Sequence, residues 1–391
     1  MHQPGTTRAR QRAYKGPVLF ARGFRVFFLG GALWAALAMA LWAMMLAAGL
    51  ELPARLVGAE WHLHEMLFGF TLAVLAGFLL TAVPNWTGRL PVMGLPVAAL
   101  AALWLAGRVA MAVSALLPLW PVWALALAFP LALVLLIGRE IVAGRNWRNL
   151  KVLAGLALFA LAEALFLAEA LNGAELGGLG LRLGVAAIVW LIALIGGRVV
   201  PSFTGNWLAR ITGARPVAPP GRFDALVMIV GALALALWVV APFAPALPAL
   251  ALLAGALHLA RLMRWRGWLA WREPLVWVLH LAYLFIPVGF FMLAADPGAA
   301  PHGWTAGAVG LMTLAMMSRA SLGHSGRMLT AGAGLTALYL MVLLAALLRI
   351  AAAFLPGAGW LPDAAALFWV LGFGGFAWLF WPLFCKPPQA R

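Results

Sequence analysis

"EWHLHEMLFGFTLAVLAGFLLTAVP", residues Glu60 to Pro84, decides what kind of protein this is. Beyond Glu65 the run carries two threonines and no charge. About 20 such residues, rising 1.5 Å each, cross the ~30 Å hydrocarbon core of a bilayer. The stretch therefore reads as a membrane-spanning helix with two histidines and a carboxylate at its mouth.

The rest of the chain is of the same kind. Of its 391 residues 65% are hydrophobic and 10% charged, with a mean hydropathy of +1.00. Soluble domains are roughly 45–50% apolar and about 25% charged. The net charge of +16 is carried by arginines in short loops between apolar runs, which orients a chain in a bilayer and gives no nucleic-acid-binding face. The single Cys385 excludes disulfides, cysteine-ligated iron–sulfur clusters and covalent haem attachment. Any haem here is held by side chains alone, as haem b.

Cutting the chain at its polar breaks predicts an all-α polytopic protein with twelve transmembrane helices, near 24–49, 61–84, 95–117, 119–143, 150–172, 180–200, 222–242, 243–263, 274–295, 301–319, 330–353 and 364–384. A basic tail (1–23) precedes a single membrane domain (24–384), and a short tail (385–391) follows it. The first helix is too long for a signal-peptide core and lacks a small-residue cleavage site, so it stays as a span. With both termini cytoplasmic, 23 of the 27 Lys and Arg fall on the cytoplasmic side, three (Arg55, Arg182, Arg349) fall outside, and Arg108 lies within the third helix. That asymmetry supports the orientation and the even number of spans.

An internal repeat emerges at the helix ends. The second ends "TAVPNWTG", the sixth "RVVPSFTG" and the tenth "RASLGHSG". Aligning Thr87-Gly88, Thr204-Gly205 and Ser325-Gly326 puts Thr81, Arg198 and Arg319 in one column and separates the copies by four helices each. Three four-helix units, about 24–143, 150–263 and 274–384, imply pseudo-threefold symmetry about the membrane normal. The same register places His64 in the column of His302.

Six histidines lie in or at the ends of helices. His62, His64 and His302 fall toward the outer side, and His258, His280 and His324 toward the cytoplasm. Imidazole suits haem iron and copper, and it also glues helices or caps their ends. On a regular helix His62 and His64 point about 200° apart and cannot share one metal. His64 and His302 are thus the expected axial pair of one haem near the outer face, with His62 turned to another partner. His258, His280 and His324 are the expected copper ligands.

Charge within lipid costs at least ~2.5 kcal/mol, so intramembrane carboxylates face a cavity, a partner or a proton path. Glu65, Glu163 and Glu169 are the catalytic candidates. Glu65 either orients a ligating imidazole or favours the positive end of its helix. Arg108 pairs with a buried glutamate or holds a cofactor propionate. The tryptophans read as interfacial belts and packing.

Several segments together resemble the NnrS family: "GFRVFF" (Gly23 to Phe28), "WHLHEMLFGF" (Trp61 to Phe70), "GFLLTAVPNWTGR" (Gly77 to Arg89), "GGRVVPSFTGN" (Gly196 to Asn206) and "MMSRASLGHSGR" (Met316 to Arg327). The resemblance implies a bacterial inner-membrane protein of nitric oxide metabolism and denitrification that contains haem and copper. It singles out His62, His64, Glu65, Arg198, Arg319 and His324. The arrangement also resembles the haem–copper oxidase architecture, where the second and tenth helices clamp a haem. There, histidines on the sixth and seventh hold copper, and this chain has none on either. The resemblance therefore supports a haem clamp more than a binuclear centre.

Two functions follow as expectations. The first is a redox protein that binds or turns over nitric oxide or another small diatomic ligand, fed by a membrane or periplasmic electron donor. The second is a non-catalytic transporter or sensor in which the histidines and glutamates form a proton relay. Parallel repeats with histidines near both faces favour the first.

Overall fold

The computed structural model describes residues 13–173, 177–213, 217–355 and 357–387. His2, Arg8, Arg10, Arg12, Arg215 and Arg391 lie outside the described residues, so part of the tail charge does too. Among the described residues every regular element is helical. The helices are α1 (Gly23–Ala48), α2 (Ala59–Thr87), α3 (Leu95–Ala112), α4 (Leu119–Ala143), α5 (Leu150–Leu171), α6 (Leu179–Thr212), α7 (Arg222–Val240), α8 (Leu247–Met263), α9 (Pro274–Ala295), α10 (Ala300–His302, Gly303–Val309 and Gly310–His324), α11 (Ala333–Phe354) and α12 (Trp360–Cys385).

Ten of these are long and apolar enough to cross a membrane. The protein is thus a polytopic helical membrane protein. The other two of the expected twelve are shorter in their regular parts: α8 has 17 residues, and α10 is regular over 15. In α10 the missing length is a π segment, Gly303–Val309, next to His302. The matching irregularity in α2 is the π segment Glu65–Phe70, next to His64. The register that aligns His64 with His302 therefore also aligns the onset of two π segments, a feature that the register was not built on.

Several helix ends differ from their expectation: α3 stops at Ala112 and not near 117, α10 runs to His324 and not 319, and α6, placed near 180–200, continues past Pro201 to Thr212 and stops at Gly213, in the left-handed region (φ 71°). Proline removes one backbone donor, and neighbouring helices compensate for that within a membrane bundle. Its counterparts do end where the repeat places them: α2 stops at Gly88 and α10 is followed by Gly326, both left-handed (φ 69°). His324 is consequently the last residue of α10 and not a loop residue.

The chain forms two compact units. The first comprises the described residues of Met1–Leu176, Ala320–Arg327 and Phe373–Arg391, and the second those of Gly177–Arg319 and Met328–Gly372. Lipid tails are as apolar as leucine, so helices in a bilayer gain by close fit and not by burial from water. In the first unit α1 and α2 meet antiparallel through glycines: Gly23 lies against Leu80, Gly77 against Phe28, and Gly31 against Val74. The end of α12 is closed by the buried Arg25, which donates to the carbonyls of Leu383 (2.7 Å) and Phe384 (3.1 Å). In the second unit α9 and α10 pack by the same device, with Gly289 against Trp304 and Gly307 against Phe285.

A Cβ at Gly77 would sit 2.7 Å from two carbons of the fully buried Phe28 ring. Gly77→Leu is expected to lower stability by about 1–3 kcal/mol through overpacking. The unfolding midpoint of the detergent-solubilised protein measures it, with the lipid-exposed Leu37→Ala as the neutral comparison.

Candidate functional site

In the first unit four ionisable side chains meet in a fully buried place. His64 and Glu65 come from the point where α2 passes into its π segment, Arg108 from α3 and Glu163 from α5. His64, Glu65 and Glu163 are 0% exposed and Arg108 is 3%. Glu65 accepts from three directions: His64 Nδ1 lies 2.9 Å from its Oε1, while Trp34 Nε1 (2.8 Å) and Arg108 NH1 (2.7 Å) donate to Oε2. This crowding requires Gly69, because a Cβ there would lie 2.6 Å from Arg108, 2.7 Å from Glu65 and 2.9 Å from Trp34. Phe68 and Phe166 flank the imidazole, and Phe159 packs on Phe68.

Opposite Glu65 the cluster is unfinished. His64 Nε2 faces Glu163 Oε1 at 3.4 Å, and Arg108 NH2 is 3.8 Å from the same oxygen. Among the described residues, His64 Nε2, both Glu163 oxygens and Arg108 Nε have no hydrogen-bond partner. Buried polar atoms are almost always paired, so four unpaired ones within one buried cluster set it apart from the rest of the first unit.

The other predicted residues are spread over several environments. His62 stacks on Trp42 at 4.9 Å. Glu169 is half-buried, six residues beyond Glu163 on α5. His324, in the first unit, lies 6.0 Å from the Phe24 ring, and its carbonyl accepts from Arg22. In the second unit His302 Nε2 accepts from Arg349, His280 Nε2 lies 2.8 Å from Thr204 Oγ1, and His258 Nδ1 lies 2.9 Å from Tyr283 OH. Arg319 stands over the Phe203 ring at 3.7 Å, and Arg198 is exposed.

The second unit also holds a buried ion-pair network that the sequence reading missed. Arg261 donates to Asp224 Oδ1 (2.8 Å), the Ala193 carbonyl (3.1 Å) and Tyr283 OH (2.9 Å). Asp224 also accepts from the Gly221 N–H at the start of α7. Arg261 had been counted among cytoplasmic loop charges and Trp34 among packing residues. The available signal was an arginine inside the apolar register of a helix, which in lipid demands a partner.

These geometries bear on the expected metals. A metal–imidazole bond is ~2.0–2.1 Å, so the plane of a haem on His64 Nε2 would pass where Glu163 stands. The guanidinium of Arg349 can only donate, so it occupies the His302 lone pair that iron would need. His258 and His280 are each engaged at one ring nitrogen, which leaves the other open, and among the described residues no group of three His, Cys, Asp or Glu is placed to hold a metal ion. As arranged, neither His64 nor His302 presents an open Nε2 to a haem iron.

The family described as "NnrS protein" matches residues 18–387, nearly the whole chain. No curated protein matches it.

Removing the cation tests what binds the site together. Arg108→Met leaves two buried carboxylates without their guanidinium and is expected to cost about 3–5 kcal/mol. Adding Glu65→Gln to Arg108→Met should restore part of that loss. Chemical unfolding in detergent reads both; equal destabilisation of the single and double variants would contradict the charge account.

Proposed function

The chain belongs to the NnrS family and so has a role in nitric oxide-related metabolism, and from that premise we propose that His64, Glu65, Arg108 and Glu163 form its working centre. In this reading the protein lies in the bacterial inner membrane with cytoplasmic termini, and binds or turns over nitric oxide at that centre. The carrying observation is the buried, unpaired His64 Nε2 facing the unpaired Glu163 carboxylate at 3.4 Å.

What the residues do follows from charge. With His64 neutral, two carboxylates face one guanidinium in a fully buried place, and an unbalanced buried charge is costly. A proton on the imidazole balances the set. Glu65 holds Nδ1 and leaves Nε2 aimed at Glu163, so a proton there has a defined donor, acceptor and direction. Nitric oxide is uncharged and enters an apolar interior without the penalty an ion meets. Its reduction consumes electrons, which a membrane or periplasmic donor would have to supply, and protons, which this centre is placed to deliver.

A second reading keeps haem b and copper, which the family resemblance implies. Bound, they would capture nitric oxide and exchange electrons with a membrane or periplasmic donor. It requires Glu163 and Arg349 to leave the two imidazole nitrogens.

The purified protein in proteoliposomes, supplied with nitric oxide and a chemical reductant, separates these readings. His64→Gln and Glu163→Gln are expected to slow nitric oxide loss by about 10²-fold or more, the ordinary contribution of a positioned acid or base. Glu140→Gln, which removes the acceptor of Arg89 and Arg139 and lies apart from the centre, should not. Unchanged rates in both centre variants would remove the proposal. A Soret band lost in both His64→Ala and His302→Ala would establish the haem reading instead.

A further inference from the structure

Among the described residues only two that are not glycine adopt positive φ, and both are arginines: Arg145 (φ 50°) and Arg266 (φ 53°). Each stands two residues before an exposed tryptophan that lies in a short 3-10 turn. Arg145 precedes Trp147 (57% exposed) in the turn Trp147–Asn149, between α4 and α5. Arg266 precedes Trp268 (53% exposed) in the turn Gly267–Ala270, between α8 and α9. The two loops are four helices apart in sequence, as the repeat requires, and one belongs to each unit.

The left-handed region is where glycine or asparagine ordinarily ends a helix, because an L side chain is strained there. Backbone geometry thus gives no reason for arginine at either position. The reason lies in the side chains. Residues 144–151 carry Arg145, Arg148 and Lys151, all exposed, and no acidic residue. Residues 264–272 carry the exposed Arg264, Arg266 and Arg272, again with no acid, beside exposed Trp268, Leu269 and Trp271. Arg272 lies over the Trp271 ring at 5.1 Å, which pairs cation and indole on one surface. Glu140 and Glu273, the nearest carboxylates along the chain, are already engaged: Glu140 with Arg89 and Arg139, Glu273 with the backbone N–H groups of Leu275 and Ala331.

We propose that these two arginine–x–tryptophan loops are binding sites for the phosphate of anionic phospholipid headgroups. Both loops border helices of membrane length, α4 and α5 in one case and α9 in the other, so they lie at a bilayer surface. Tryptophan is at home at that depth, with its ring among acyl chains and its N–H among headgroups. Arginine meets a phosphate with two parallel N–H donors, and each cation near an anionic surface adds to the attraction.

The test uses the full chain in neutral detergent, incubated with equal phosphatidylglycerol and phosphatidylcholine, with bound lipid counted by native mass spectrometry. The wild type is expected to retain phosphatidylglycerol preferentially. Arg145→Gly with Arg266→Gly should cut that preference by roughly fivefold for each arginine lost. Because glycine fits the left-handed region, the melting temperature in phosphatidylcholine micelles should hold or rise. Arg145→Asn with Arg266→Asn, which also tolerates that backbone, should behave alike. An unchanged preference in both double variants would overturn the proposal. So would full displacement of phosphatidylglycerol by millimolar inorganic phosphate, which would make the loops free-anion sites.

Discussion

Charge taken into a bilayer has to be matched where it sits, and the first unit is organised by that demand. Arg108 cannot lose its proton, so α3 brings a permanent cation into a buried place. Glu65 answers it directly and is itself held by Trp34 and His64, which ties α1, α2 and α3 to a single carboxylate. Glu163 brings α5 to the same point but is left short of donors. The second unit uses the same logic to a different end. There Asp224, Arg261, Tyr283 and the Ala193 carbonyl join α6, α7, α8 and α9, and every guanidinium bond has an acceptor at normal distance. A satisfied network holds helices together; an unsatisfied one is where chemistry has room to occur.

Small residues make both arrangements possible. Gly69 lets three polar groups converge on one side of α2, and a side chain at Gly197 would collide with Arg261. The π segments act at the same scale. Inserting one residue into a helical turn widens it and turns the preceding residues relative to those that follow, and such bulges are frequent at functional sites. In α2 this occurs directly after His64, so His64 and Glu65 stand next to each other in sequence and still bond side by side. In α10 it follows His302, which faces Arg349 from the next helix in the chain, much as Glu65 faces Arg108.

How much of this was visible beforehand depends on the range over which each force acts. Span length and apolarity are local, and α4, Leu119–Ala143, was placed residue for residue. Helix ends that depend on a single glycine were read less well: the sixth span was placed to about residue 200, while the left-handed Gly213 is its real stop. Glu65, Arg108 and Glu163 were each flagged because charge in lipid is expensive, but helical spacing gives the face of a residue and not its neighbour on another helix. That Arg108 meets a buried glutamate was one of its two expected roles, but which glutamate, and the meeting of all three with His64, was not legible, nor was Trp34, whose indole bond to Glu65 leaves no trace in composition.

The two nitrogens of His64 carry the functional distinction. Had both been bonded, the residue would be a strut; had both been free, its orientation would be undetermined. Glu65 takes Nδ1 and fixes the ring, which is also how a carboxylate prepares an imidazole to bind a metal. What decides between a metal and a proton is the occupant of the other side. A carboxylate at 3.4 Å, itself without hydrogen bonds and 3.8 Å from a guanidinium, leaves no width for a porphyrin and sets a permanent cation beside any metal ion. On the proposed reading a proton needs no such width, and it would supply a second positive charge opposite the two carboxylates.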